Sequence, residues 1–136
     1  MDNRIYIRKA TPEDYDIIVD LGRRTFVETY SEVTHNEALQ AYMEKKFTLE
    51  VIEKEMNKPD ACFYIGFIEN IPAAFTKLRS DRKAKGLEHI NGIEIERIYV
   101  LKEYQGLKVG KLMMDRCIEI ASGDKYDMIW LQGWQH

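Results

Sequence analysis

The stretch from Glu94 to Lys111, EIERIYVLKEYQGLKVGK, decides the fold. Its first part alternates β-branched and charged residues, which predicts a strand. Ile93 and Ile95 occupy one parity of this strand, whereas Ile98 and Val100 occupy the other. A one-residue slip of the apolar alternation is typical of a β-bulge, because one strand then carries an extra residue. The sequence therefore predicts a bulged strand.

The second part of the stretch is a glycine-containing loop, Gln105–Lys111, which leads into a predicted helix. Backbone N–H groups at a helix start have no helical partners, and the helix dipole adds partial positive charge there. Lys108 and Lys111 add full charges, and this combination favours phosphate or diphosphate binding. The alternative is that Gly106 and Gly110 only form a loop and a close helix contact.

The same residues exclude one other phosphate-binding motif and argue against a second. A Walker loop needs Ser or Thr after its lysine, and Val109 follows Lys108 here. A dinucleotide-binding fingerprint fits poorly, because Gly106 and Gly110 have the wrong spacing and no βαβ unit surrounds them.

The rest of the chain predicts an order of elements around the bulged strand. Hydrophobic periodicity, capping residues and turn signals divide it into segments. The first part is predicted to contain a strand at Ile5–Ile7, a helix starting with a capping box at Thr11–Asp14 and running to about Val27, a helix capped at Thr34–Glu37, and a short helix from Thr48. A hairpin of Cys62–Ile68 and Ile71–Leu78, a surface loop at Ser80–His89 and the bulged strand Ile93–Leu101 follow. The last elements are a helix Lys108–Ser122, with Val109, Leu112, Met113, Ile120 and Ala121 on one face, and a buried strand Met128–Leu131.

Composition narrows the class of protein. The 136 residues carry a net charge of −3, which argues against a general nucleic-acid binder. Cys62 and Cys117 lie far apart with no ligand-spaced partner, so we expect reduced thiols and no metal site. The sequence shows no secretory leader and no apolar run long enough to span a bilayer. We therefore expect one cytoplasmic domain that does not bind membranes.

The run from Glu94 to Ala121 resembles the acetyl-CoA-binding motif of the GNAT superfamily of N-acetyltransferases. That motif has a bulged strand, then Gln or Arg, two variable residues, Gly, a variable residue, and Gly or Ala. Gln105 and Gly110 match it, while Lys108 stands where the family usually has its middle glycine. Segments 25–30 and 95–100 are most similar to the spermine/spermidine acetyltransferase branch. The resemblance implies an α/β fold with a mixed, mostly antiparallel sheet flanked by helices.

The resemblance also implies a cofactor site for acetyl-CoA. The backbone of Ile98 and Val100 would pair with the pantetheine arm, and the Ile98 N–H would face the thioester carbonyl as an oxyanion donor. The loop would hold the pyrophosphate. The full set of expected cofactor-binding residues is Ile98, Tyr99, Val100, Gln105, Gly106, Leu107, Lys108, Val109, Gly110 and Lys111.

Catalysis by this family needs a base, because an alkylammonium has a pKa of about 10 and must lose a proton before it attacks. Glu96, beside the bulge, is the first candidate, acting directly or through a water, and Glu94 is the second. The alternative is that both are surface carboxylates on an exposed strand face. Glu28 and Tyr30 would face the acceptor amine in related enzymes.

The family normally continues past its fifth strand with a helix and two more strands. This sequence ends at His136, so the resemblance implies a single GNAT domain, 1–136, that is incomplete at its C-terminal end. We predict a homodimer, because an uncovered strand edge with Trp130 and Trp134 would favour association. The functional prediction is an acetyl-CoA-dependent transferase acting on a small primary amine, possibly a polyamine. The alternative is a catalytically weak or inactive CoA-binding module.

Overall fold

The computed structural model of the chain describes residues 4–30 and 35–131. Strands and helices follow one another in the order that the sequence predicts, with a 3₁₀ turn beside each of the two longest helices. The elements are β1 (Ile5–Lys9), a 3₁₀ turn (Pro12–Asp14), α1 (Tyr15–Thr29), α2 (Glu37–Lys46), α3 (Leu49–Met56), β2 (Ala61–Ile68), β3 (Ile71–Arg79), β4 (Gly92–Val100), a second 3₁₀ turn (Lys102–Tyr104), α4 (Val109–Gly123) and β5 (Met128–Leu131).

The five strands form one sheet in sequence order, β1-β2-β3-β4-β5. The first three pairings are antiparallel, and β4 pairs with β5 in parallel. The parallel pair is possible because α4 carries the chain back to the same end of the sheet. The prediction of a mixed, mostly antiparallel sheet is confirmed.

The bulge in β4 is at Glu96. Lys77 on β3 faces Arg97, and the next residue, Leu78, faces Ile95, so Glu96 has no counterpart on β3. The extra residue restores the apolar face: Ile93, Ile95 and Ile98 all pack in the layer on the α4 side of the sheet. The slip in the apolar alternation thus corresponds to a β-bulge, as the sequence predicts.

Helix starts follow local side-chain chemistry. Thr11 and Asp14 form the predicted capping box, and the Thr48 hydroxyl accepts a hydrogen bond from the Val51 N–H at the start of α3. At α2 the N-cap is Asn36, whose side chain accepts from two backbone N–H groups. The predicted cap at Thr34 lies outside the described residues.

The core has two layers, one on each face of the sheet. On one face, α1 and α3 pack over β2 and β3 with Ile18, Leu21, Ile52, Phe63 and Phe75 fully or almost fully buried. On the other face, α4 buries the stripe Val109, Met113, Cys117 and Ala121. Each face of the sheet therefore has its own helical cover.

Two details of burial differ from the sequence prediction. Leu112 is 37% exposed, because the buried stripe of α4 recurs every four residues from Val109 and leaves Leu112 off it. The final strand, β5, is half-buried instead of buried, and Leu131 is exposed. β5 has only one neighbouring strand within the part of the chain that the structure describes.

The β2–β3 hairpin settles a turn type that the sequence left open. Glu69 and Asn70 have φ angles of 49° and 69°, so both central residues lie in the left-handed region. Two such residues make a type I′ turn, whose twist matches that of antiparallel strands.

Candidate active site

The bulge divides β4 into two halves with different neighbours. From Gly92 to Ile95 the strand pairs with β5, ending with the pair Ile95 and Leu131, and Glu94 and Ile95 also pair with β3. Beyond Glu96 the strand continues along β3 as far as Val100. Among the described residues, no strand pairs with the other edge of this second half, and this unpaired edge, as the described residues show it, is called the gap below.

Backbone groups of Ile98 and Val100 face this gap. The Leu101 N–H donates to the Ala73 carbonyl oxygen on β3 at 2.9 Å. Hydrogen-bonding direction alternates along a strand, so Tyr99 also faces β3, while Ile98 and Val100 face the opposite edge. The Gln105 side chain donates to the Val100 carbonyl oxygen at 3.1 Å, which agrees with this direction. Ile98 and Val100 thus have the orientation that an added, strand-like ligand would need.

The loop after β4 is built from unusual backbone conformations. Gly106 has a φ of +87°, and Lys108, the N-cap of α4, has a φ of +70°. No side chain among the described residues caps this helix. The first N–H groups of α4 therefore remain available next to the exposed Lys108 and Lys111. Lys111 pairs with Asp115 one turn later, at 2.8 Å.

Gly110 lies directly opposite the open half of β4. A Cβ atom built at Gly110 would meet only a Val100 methyl group, at 3.5 Å, an ordinary contact. The fold itself has room for a small side chain at this position. A requirement for glycine would therefore come from something that enters the gap, rather than from packing of α4 against β4.

Two adjoining clefts lie where α1 approaches the second half of β4. The first has a volume of about 250 Å³ and contains the groups predicted to bind the cofactor arm. Its lining residues are Thr25, Glu28, Thr29, Ile98, Tyr99, Val100, Lys102 and Gln105. Glu28 accepts a hydrogen bond from the Lys102 N–H at 2.8 Å, so it ties the end of α1 to the turn after β4. This role was not expected for a predicted acceptor-binding residue.

The second cleft has a volume of about 150 Å³ and is largely aromatic. Phe26 stacks with Tyr42 at a ring separation of 5.7 Å and contacts Tyr30 at 4.8 Å. Glu96 and Arg97 supply its charged side, with Lys46 at the α2 end. Tyr99 lines both clefts, and burial raises the pKa of its phenol. Tyr30 and Glu96, predicted separately from the sequence, therefore share one cleft.

Glu96 sits in a buried cluster of charges, here called the Glu96 cluster, which comprises Glu55, Lys77, Arg79, Asp81, Glu96 and Arg97. One carboxylate oxygen of Glu96 accepts a short hydrogen bond from Arg79. The other lies 3.3 Å from Lys77 Nζ and 3.3 Å from an Arg97 nitrogen. Burial acts to raise the pKa of Glu96, but the Arg79 hydrogen bond and the charges of Arg97 and Lys77 outweigh it. The pKa of Glu96 therefore lies below its ordinary value.

Glu94 has a different environment. It is 1% exposed and forms a two-point ion pair with Arg82, with contacts of 2.8 and 2.6 Å. It lines neither of the two clefts. The alternative that Glu94 and Glu96 are exposed surface carboxylates is wrong, because Glu94 is 1% exposed, the Glu96 side chain is 14% exposed, and both are paired with cations.

The sequence reasoning missed the cations of the Glu96 cluster. Lys77 and Arg79 alternate with apolar residues on β3, and this was the available signal, because a charged residue inside a core strand needs a buried partner. Glu55 gave no signal, since on α3 it resembles its exposed neighbours Glu50 and Glu53.

Residues 20–135 match the family described as Acetyltransferase (GNAT) family. The chain belongs to the GNAT acetyltransferase family. By family it is an N-acetyltransferase, and the match covers β2 to β5 and most of α1 as described above.

Two curated relatives are similar along most of this GNAT chain. An uncharacterised N-acetyltransferase in the pepI 3′ region of Lactobacillus delbrueckii subsp. lactis is 26% identical over 132 residues, covering 97% of this chain and 76% of the relative. A spermidine N(1)-acetyltransferase of Thermoplasma acidophilum is 24% identical over 114 residues, covering 81% of this chain and 66% of the relative. The chain thus spans about two thirds to three quarters of the length of these relatives.

Solved structures share the fold. The crystal structure of PaiA N-acetyltransferase from Thermoplasma acidophilum in complex with coenzyme A superposes with a TM-score of 0.71 at 23% identity. The match covers 90% of this chain and 74% of that one. The α/β architecture predicted from the sequence is confirmed by this similarity.

The described residues form neither a metal-ligand cluster nor a membrane-spanning helix. Within residues 4–30 and 35–131, no three His, Cys, Asp or Glu side chains come together as metal ligands would. None of the helices in the same ranges is long and apolar enough to cross a bilayer. Trp134, which the sequence analysis assigned to association, lies outside the described residues.

Proposed function

We propose that this GNAT protein transfers the acetyl group of acetyl-CoA to a primary amine by direct attack of the amine nitrogen. The observation that carries the proposal is the gap beside the second half of β4, which runs from an uncapped helix start to a cleft containing a carboxylate. A phosphate-bearing, extended cosubstrate and a cationic acceptor fit the two ends of that arrangement.

The residues present fit coenzyme A. The N–H groups at the start of α4, with Lys108 and Lys111, would hold the diphosphate, and Gly110 would leave space for it. Ile98 and Val100 would bind the pantetheine arm through their backbone groups, as an added strand does. When bound, acetyl-CoA supplies the activated acetyl thioester. Gln105 would have to release the Val100 carbonyl for the arm to pair with it.

Glu96 is the proposed base. It lines the aromatic cleft, where an ammonium group would approach, and the low pKa of Glu96 keeps its carboxylate ionised near neutral pH. It would take the ammonium proton directly or through a water, and the Ile98 N–H would stabilise negative charge on the thioester oxygen as the C–N bond forms. The C–S bond would then break, and CoA would leave as its thiolate and take up the second proton that the nitrogen loses. Glu94 is the less suitable candidate, since Arg82 holds both of its oxygens away from the clefts.

A polyamine is the proposed acceptor within the amine class. The spermidine acetyltransferase activity named for the Thermoplasma relative supports it, as does the aromatic lining of the second cleft, because aromatic faces attract alkylammonium groups. A second candidate function is a CoA-binding module with weak or no catalysis. The observation that favours it is the pairing of Glu96 with three cations, which lowers its strength as a base.

A steady-state assay with acetyl-CoA tests the proposal on spermidine, spermine, a simple alkyl monoamine and a peptide with a free N-terminus. We expect turnover, and a fall of about 100-fold or more in Glu96→Gln with nearly unchanged CoA affinity. Tight CoA binding without turnover on any amine would instead support the binding module. Failure to bind CoA would contradict both functions.

A homodimer is part of the same proposal. Its support is that β5 pairs with one strand only among the described residues and is half-buried, with Trp130 partly exposed and Leu131 exposed. Sedimentation at micromolar concentration checks it, with a dimer as the expected species and a monomer as the contradicting one.

A further inference from the structure

We infer that Glu55, on α3, is a positioning residue for Glu96: it shares Lys77 and Arg97 with Glu96 and thereby sets how firmly these two cations hold the Glu96 carboxylate. The inference rests on the proposed function for its catalytic meaning. Glu55 lines neither cleft, so it acts through its two cationic neighbours and does not touch the reacting groups.

The contacts show that Glu55 and Glu96 use the same two donors. Lys77 Nζ lies 3.1 Å from Glu55 Oε1 and 3.3 Å from Glu96 Oε2. Arg97 binds Glu55 with both terminal nitrogens, at 3.0 and 3.3 Å, and one of them also lies 3.3 Å from Glu96 Oε2. Both cations therefore bridge the two carboxylates, and a change at one carboxylate alters what the other receives.

Burial makes this sharing effective. The side chains of Lys77 and Arg97 are 6% and 5% exposed, and those of Glu55 and Glu96 are 16% and 14% exposed. Charges in such surroundings are weakly screened by water and salt. Lys77 and Arg97 also lie over the Phe63 and Phe47 rings, at 5.8 and 5.7 Å, which limits where their charged ends can move.

Charge balance gives the direction of the effect. The Glu96 cluster holds three cations and three carboxylates, so neutralising Glu55 leaves one positive charge in excess. Lys77 and Arg97 would then bind Glu96 alone and lower its pKa further. The other titratable or charged groups near Glu96 stay in place in this variant: Arg79 and its partner Asp81, Arg82, Tyr30, Tyr42, Lys46 and Tyr99.

Two variants with opposite expected signs test the inference. Glu55→Gln keeps the shape of the side chain and removes its charge, so the acid limb of the kcat/KM profile should move to lower pH by roughly one unit. The plateau kcat should fall several-fold, since the base is weaker, while CoA affinity stays unchanged. Lys77→Met removes a shared cation and should move the same limb to higher pH. Glu53→Gln, an exposed position on the same helix, is the matched control and should behave as wild type.

A second measurement does not depend on turnover. Carbon-13 NMR of labelled glutamate carboxyls, with the Glu96 signal assigned from Glu96→Gln, should show the same two shifts over the pH range in which circular dichroism reports an intact fold. If the wild type acetylates no amine, the proposed function fails, whereas the carboxyl titration still tests the sharing of cations. Folded Glu55→Gln and Lys77→Met proteins with wild-type titration of Glu96 would overturn the inference. Shifted carboxyl titrations with unshifted kinetics would overturn it too, because Glu96 would not then be the group that governs the rate.

Discussion

The Glu96 cluster and the loop Gln105–Lys111 both carry several charges near β4, but they differ in whether those charges have partners within the chain. In the cluster every carboxylate oxygen of Glu55 and Glu96 has a cationic partner from the chain itself. In the loop, an uncapped helix start and Lys108 face outward without such partners among the described residues. A region whose charged groups pair with one another contributes to the fold. A region whose N–H groups and positive charges lack partners is suited to bind a ligand.

The largest expected effect separates the two regions by stability. Arg97→Met should lower the free energy of unfolding by about 3 kcal/mol, because it leaves Glu55 and Glu96 buried with too few cations. Urea unfolding followed by circular dichroism measures it. Arg24→Met is the control, since Arg24 forms exposed ion pairs with Asp20 and Glu103 and should lose less than about 0.5 kcal/mol. Equal losses in the two variants would show that the cluster is no more structural than a surface pair.

The next effect concerns ligand binding in the loop. Gly110→Val should weaken CoA binding by about tenfold or more, because overpacking a close contact usually costs 1 to 3 kcal/mol. Gly110→Ala should weaken it less and leave the fold intact, since the new Cβ meets only Val100 at an ordinary distance. Gly123→Ala, at the far end of α4 with open space around it, is the control. Calorimetric titration with CoA decides, and an unchanged affinity in Gly110→Val would remove the main support for a cofactor there.

Lys108 combines strain and charge, and two substitutions separate them. Its left-handed backbone costs a non-glycine residue roughly 1 kcal/mol, so Lys108→Gly should be more stable than Lys108→Ala by about that amount. Both variants lose the positive charge, and both should bind CoA a few-fold more weakly with a flatter salt dependence. Thermal unfolding and CoA titration at two salt concentrations measure these effects. Weaker binding in only one of the variants would mean that the backbone, not the charge, controls affinity.

The same division explains what could be predicted from the sequence. The bulge was predictable because the apolar parity slips between Ile95 and Ile98, and such a slip has one simple structural solution. The loop was predictable because Gln105 and Gly110 resemble a family motif and lie within one short stretch of the chain. These features are local, and their residues are adjacent in sequence.

The Glu96 cluster was not predictable in the same way. Its members come from α3, β3, the loop after β3, and β4, so only the folded sheet brings them together. In the sequence, Glu55 resembles any other acidic residue on a surface helix. Only the structure shows that it contacts Lys77 and Arg97. Residues that pair over such long range have no characteristic spacing in the sequence. For this reason the base candidate could be named from the sequence, whereas the groups that control its pKa were missed.

The smallest expected effect tests which of the two regions Glu28 belongs to. The sequence resemblance assigned Glu28 to the acceptor amine, but its carboxylate oxygen accepts the Lys102 N–H at 2.8 Å and so closes the turn at the end of β4. Glu28→Gln keeps an oxygen that can accept this bond and should change the KM for the amine by less than about twofold. Glu28→Ala loses the bond and should mainly weaken CoA binding, since the turn leads into the Gln105–Lys111 loop. A KM for the amine that rises tenfold in Glu28→Gln, with CoA affinity unchanged, would instead place the Glu28 charge next to the acceptor and return it to the role that the sequence predicted.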